Sequence, residues 1–296
     1  MIERETHDLR NLFQAVGRFT GQRGPMTTPA VRPETDRTVE LLDGKSAEIL
    51  EDPLVVSAFV DGVQASLVLT YREHRPVYLN FTGAAAVSED LTAVAIRERL
   101  HLVASQEDQE WTSSLRSTVP AMFLPSNSPD EVERLAVASL AGDRESLERS
   151  LIDELVVESH LPLVLDGSLV GRPIDNRLTG VVKTTNRRYL PDETVLYGLR
   201  AGWRSPRFRI PAGSHGVKAD RYSCYLRLFD ASRNAWNYGL VRLETFDSGM
   251  LDPLAALCLT QRQNPRSGDA RGDRHLRTVR ACETLLRARR PAVYDL

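Results

Sequence analysis

Two short apolar runs in this chain each close on Asp-Gly: Ser-Ala-Phe-Val-Asp-Gly at 57–62 and Leu-Val-Leu-Asp-Gly-Ser at 163–168. Each puts a carboxylate, Asp61 or Asp166, at the end of an expected buried strand. An unpaired carboxylate buried there costs several kcal/mol, or else it keeps its proton. Two such groups, each after a β-rich run, point to a cation that holds both, and a divalent metal ion is the usual one. Read singly, either Asp-Gly is also an ordinary start to a turn. The weight therefore rests on the pair and on what surrounds it.

Residues 65–71 (Ala-Ser-Leu-Val-Leu-Thr-Tyr) read as a second strand, Arg72 to Pro76 as a turn, and 77–81 as a third strand. These form an antiparallel meander whose first strand carries Asp61. Leu91, Val94, Ala95, Leu100 and Leu102 recur at helical spacing and predict a helix over 89–104. A longer helix is predicted over 130–158, with Asp130 as its cap and Leu147, Leu151, Ile152 and Leu155 as its apolar stripe. Pro162 ends it, and 163–165 is the strand that bears Asp166. Farther on come an apolar segment at 180–185, helical character near 192–200, a β-hairpin from 222–229 and 238–246, and an amphipathic helix over 273–290. Residues 1–22 open with a helical pattern (Leu9, Leu12, Phe13, Val16), which Gly21, Gly24, Pro25, Pro29 and Pro33 break. The expected organisation is an N-terminal helical arm and linker over 1–50, followed by an α/β domain over 51–296.

With 296 residues the chain can bury a sizeable core. No apolar run approaches the ~20 residues of a membrane span, and the first residues are too polar for a signal peptide. Cys224, Cys258 and Cys282 are widely spaced with no CxxC pair, which points to a reducing compartment and away from a structural zinc site. A cytoplasmic protein with no membrane association is expected. The net charge of −2 hides a polarity: 130–158 is acidic, and the chain is basic from Arg187 onward, ending in an Arg-rich stretch from Arg262 to Arg290. Arginines gathered on one face would meet phosphates. Equally, only Lys45, Lys183 and Lys218 are lysines among 38 basic residues, so arginine is simply this chain's usual cation. Trp203, Tyr222 and Trp236 lie in the basic half, where they can stack on unpaired bases or pack into the core.

A strand with Asp, two antiparallel strands, helices, then a strand with a second Asp is the frame of an RNase H-like α/β domain, a mixed sheet of three antiparallel strands followed by parallel ones. In such a fold the first and fourth strands lie side by side, so the two Asp residues meet at one edge. Two-metal phosphodiester hydrolysis needs several carboxylates converging on ions ~3.5–4 Å apart. Asp61 and Asp166 would be two of them. The helix before the second motif should supply another: Glu148 neighbours the apolar stripe, and Glu145, one turn earlier, competes with it. Lys183, after a Gly-Val-Val run, either reaches a scissile phosphate or turns to solvent at a strand end. There is no GxxxxGK[ST] loop for ATP hydrolysis, no HExxH and no GxSxG.

Val-Asp-Gly at 60–62, Leu-Val-Leu-Asp-Gly-Ser-Leu at 163–169, Gly-Val-Val-Lys-Thr at 180–184 and Val-Arg-Leu-Glu at 241–244 together resemble, in type and order, the NurA nucleases. The resemblance covers roughly residues 55–285. It implies a manganese-dependent (Mn²⁺ or Mg²⁺) DNA nuclease with an RNase H-like fold, working as a homodimer on a hexameric HerA-type ATPase (HerA/FtsK-like) in DNA repair or phage defence. It places Glu244 in a late acidic motif, favours Lys183 beside the phosphate, and makes Asp273, or alternatively His275, the fourth metal ligand beside Asp61, Glu148 and Asp166. The chain departs from the family in reading Asp-Gly-Val-Gln at 61–64 where Asp-Gly-Ser is expected, and in lacking an apolar segment around Asn264-Pro265-Arg266. The other reading of the same frame is a catalytically inactive RNase H-like module that binds and regulates a partner ATPase.

Overall fold

The computed structural model describes residues 39–114, 119–183, 189–213, 218–230, 237–264 and 274–290. In chain order the strands are β1 (Glu40–Leu41), β2 (Ala47–Glu48), β3 (Ala58–Arg72), β4 (Arg75–Val87), β5 (Ala93–Ser105), β6 (Ala121–Leu124), β7 (Leu163–Asp166), β8 (Leu178–Val182), β9 (Trp203–Arg204), β10 (Phe208–Ile210), β11 (Arg221–Arg227) and β12 (Leu240–Thr245). The helices are α1 (Gln109–Ser114), α2 (Pro129–Glu158), α3 (Thr194–Tyr197), α4 (Leu251–Gln261) and α5 (Arg277–Ala288). The strands form one mixed sheet in the order β1-β10-β11-β12-β8-β7-β3-β4-β5-β6, with β2 and β9 attached beside β11. β3, β7 and β8 run parallel, while β3-β4-β5 and β8-β12-β11 are antiparallel. Residues 1–38 of the expected arm lie outside the described residues; β1 and β2, within its last dozen, pair with β10 and β9. Among the described residues no helix is long and apolar enough to cross a membrane.

Period-two alternation sorts the sheet's faces. Ala58 and Val60 of β3, Ala84 and Ala86 of β4, and Leu163 and Leu165 of β7 pack under Leu147, Leu151, Ile152 and Leu155 of α2. Their alternates Phe59 and Val164 pack with Leu254 and Leu257 of α4 and Val279 of α5, while Ala85 and Val87 meet Cys282 and Leu286 of α5. The sheet is thus a middle layer, with α2 on one face and α4 and α5 on the other. α2 starts one residue before the prediction, with Ser128 rather than Asp130 at the cap position and Pro129 at its first turn, where a missing N–H costs nothing.

Two predictions are corrected. The segment 89–104 is not a helix: most of it is β5, paired with β4 from Ala93 to Val103. Its alternation is hidden because the side facing α2 carries Arg97, Arg99 and His101 in place of apolar residues. Arg97 pairs with Glu154, and Arg99 with Asp143, which also lies 3.6 Å from His101. The predicted second strand, 65–71, is the far half of β3, which runs unbroken through Asp61-Gly62. The meander is therefore β3-β4-β5, and Asp61 sits mid-strand, just past the point where β7 stops pairing.

Candidate metal centre

The parallel register of β3 and β7 pairs Ala58 with Leu163, Phe59 with Val164 and Val60 with Leu165. One step farther, Asp61 and Asp166 stand side by side on the face that carries α5. α5 then adds Glu283, and ligand oxygens of Asp61, Asp166 and Glu283 all lie within 4.8 Å of one another. Asp61 is buried; its Oδ1 accepts the Gly62 N–H at 2.8 Å, and its Oδ2 has no partner. Burial first, then the neighbouring Asp166 and Glu283 charges, push the Asp61 carboxyl well above the ordinary range, against the opposing pull of Lys183. A buried carboxylate oxygen without a donor, facing two more carboxylates, is a cation-shaped deficit. These residues fit a divalent metal ion.

Lys183, just past the end of β8, brings a positive charge to the cluster: its Nζ donates to Asp166 Oδ2 at 2.8 Å and lies 3.5 Å from His275 Nδ1. His275 Nδ1 is in turn 4.0 Å from Glu283 Oε1, and Glu283 pairs at 3.2 Å with Arg287, four residues on. Arg274 donates to the Lys183 carbonyl at 2.7 Å and so fixes the backbone that presents the amine. Asp61, Asp166, Lys183 and His275 are thus gathered in one place. Asp273 lies outside the described residues.

Glu148 is elsewhere. It is buried against the opposite face of β3, where it pairs with Arg172 and, at 3.5 Å, with Arg144. A Cβ on Gly62 would come within 2.3 Å of Glu148 Oε1. Glycine at 62 therefore makes room for that carboxylate, and strand alternation sends Asp61 and Glu148 to opposite faces. Glu145 pairs with Arg149 on the surface of α2. The carboxylate that sequence reasoning passed over is Glu283. Its signal was present: a lone acid within the apolar stripe Leu276, Val279, Cys282, Leu286 of an amphipathic helix.

A second polar cluster holds the turn after Asp166. Glu244 of β12 is fully buried and accepts from Ser168 Oγ and the Leu169 N–H, each at 2.8 Å, from Arg242 at 2.6 Å and from Arg221 at 3.3 Å. Burial raises its carboxyl, but the charges of Arg242 and Arg221 outweigh that and leave it below the ordinary value. Gly167 has φ +140°, open to glycine, and Gly180 packs so closely that a Cβ there would lie 2.6 Å from the Gly167 carbonyl oxygen. Gly180→Ala is therefore expected to cost about 1–3 kcal/mol, read as a lowered urea midpoint, and to weaken Mn²⁺ binding by displacing Asp166.

Among the described residues, the arginine-rich half is largely spent internally. Arg204 and Arg207 pair with Asp43 and Asp252, and Arg209 with Glu40 and Asp220. Arg227 donates to the carbonyls of Leu196, Leu199 and Tyr238. Trp203 and Tyr222 pack against core clusters, and Trp236 lies outside the described residues. Comparison with protein-family models gives no match, and comparison with curated proteins gives none either.

Proposed function

We propose that this chain is a divalent-metal-dependent DNA nuclease with an RNase H-like core. The observation that carries the reading is the convergence of Asp61, Asp166 and Glu283 from β3, β7 and α5, with an unpartnered buried oxygen among them. The side-by-side parallel pairing of β3 and β7, the two strands that carry the aspartates, supports the same fold. Asp61, Asp166 and Glu283 would hold Mn²⁺ or Mg²⁺, with His275 at the margin. An ion bound there supplies charge to activate water and to stabilise the leaving oxygen. Lys183 is placed to meet negative charge gathering on a phosphoryl oxygen. Asp166 and the Arg274 bond to the Lys183 carbonyl orient that amine. The resemblance to NurA nucleases extends the proposal to a homodimer serving a HerA-type hexameric ATPase in DNA repair or phage defence.

Incubation of end-labelled linear DNA, single- and double-stranded, with Mn²⁺, Mg²⁺ or EDTA tests the reading. Degradation with the metal and none with EDTA is expected, in the presence of the cognate ATPase if the chain alone is inert. Intact DNA under both conditions would leave the regulatory module as the reading. Lys183→Met separates two roles: Mn²⁺ binding should tighten, because a competing ammonium is gone, while single-turnover cleavage slows about 10²-fold. Titration calorimetry beside the cleavage assay reads both.

A further inference from the structure

β7 pairs with β3 only as far as Val60, so the rest of that edge of β3 has no strand beside it among the described residues. A groove of about 520 Å³ lies there, lined by residues 62–65 of β3 together with Arg144, Glu283, Arg287 and Arg290. Its volume falls within the ~300–1,000 Å³ of ordinary ligand sites. Arg144 comes from α2 on one face of the sheet and Arg287 from α5 on the other, so the groove straddles the strand edge. Glu283 belongs both to the carboxylate cluster and to the groove wall. The groove therefore meets the candidate metal centre at Glu283.

Its charges are arranged in a particular way. Arg144 is held by Glu148 and Arg287 by Glu283, each four residues away on its own helix. Arg144 and Arg287 keep 46% and 71% of their side-chain surface in water, so both can turn to a second partner. Elsewhere many of the arginines are committed to internal partners, whereas here three of them line one groove. A cation taken up by Glu283 would compete with Arg287 for the same carboxylate and release its guanidinium. Three guanidinium groups lining one groove beside a metal centre match the phosphates of a polynucleotide strand.

We infer that the β3-edge groove is the track for one phosphodiester strand, with Arg144, Arg287 and Arg290 holding backbone phosphates beside the scissile one. The inference rests on the nuclease reading for its substrate class, and binding is separable from cleavage. The test is fluorescence anisotropy of a short fluorescein-labelled single-stranded oligodeoxynucleotide with the full chain in Ca²⁺, titrated with salt. Wild type is compared with the triple variant Arg144→Gln, Arg287→Gln, Arg290→Gln and with the corresponding triple lysine variant, and Mn²⁺ cleavage is run in parallel.

The glutamine variant should bind at least about tenfold more weakly at low salt, with a log–log salt slope shallower by about 2, as expected for three lost phosphate contacts on a single strand. The lysine variant should recover most of the slope, since the charges return. If wild type binds and cleaves while the glutamine variant keeps both its affinity and its slope, the groove is not the track and the nuclease reading stands. If binding falls as expected but wild type cleaves nothing even with the cognate ATPase present, the track stands and the nuclease reading falls. If wild type does not bind the oligonucleotide, the track is overturned whatever the cleavage assay shows.

Discussion

Asp166→Asn should abolish metal-dependent cleavage, by about 10³-fold or more, in a protein that remains folded. A bound ion is worth several kcal/mol of stabilisation to the charge that develops on oxygen, and each ~1.4 kcal/mol is tenfold in rate. Asn keeps the shape of the residue and an acceptor for Lys183, so what it removes is the carboxylate charge that faces Asp61 and Glu283. Asp61→Asn should be equally inactive, with an added consequence for stability. The folded protein holds the Asp61 proton more tightly than the unfolded chain does. As pH rises from the ordinary carboxylate value, ~3.9, the unfolded chain releases this proton first, so metal-free stability falls. The loss is complete only above the raised folded value. Asp61→Asn removes it, and in EDTA at neutral pH the variant should melt higher than wild type while binding no Mn²⁺. Calorimetric melts across pH read the stability, and gel assays read the cleavage.

Glu244→Ala should be the most damaging single change away from the metal centre. It strands Arg221, which is fully buried, and Arg242, nearly so, and removes the acceptor for Ser168 Oγ and the Leu169 N–H. Breaking a buried ion cluster by deleting one partner costs about 3–5 kcal/mol. A domain has ~5–15 kcal/mol in all, so urea denaturation should show the midpoint fall by a large fraction. The loss reaches the site as well, because the turn after Asp166 is what Glu244 holds. Adding Arg221→Met to Glu244→Ala should recover part of the stability, since it removes one of the two stranded charges. Mn²⁺ affinity should stay low in the double variant.

The residues that were legible in the sequence are those whose environment is set within a few positions of themselves. Asp61 and Asp166 stood out because each follows an uninterrupted apolar run. The long helix α2 and the β11–β12 hairpin announced themselves by periodicity and by turn residues. What stayed hidden depends on partners far along the chain. β5 read as a helix because Arg97 and Arg99 on its inner side are neutralised by Glu154 and Asp143 of α2, which no local pattern reveals. Glu148 neighbours an apolar stripe, and locally that points it at the sheet. The choice between faces of the sheet, however, is made by strand parity at Asp61-Gly62, and it puts Glu148 under Gly62. Glu283 is 117 positions beyond Asp166, and only the docking of α5 over β3 and β4 brings it to the two aspartates. The arginine-rich half looked like a phosphate-binding face; much of it is the inner wiring of the sheet.

Anomalous scattering from a crystal soaked in Mn²⁺ decides whether Asp61, Asp166 and Glu283 hold the ion. An anomalous peak is expected between Asp61 and Asp166 on the α5 face, with Glu283 turned toward it and Lys183 drawn off Asp166. A peak bound instead at Glu148 on the α2 face, or no peak at the two aspartates in a saturating soak, would contradict that assignment.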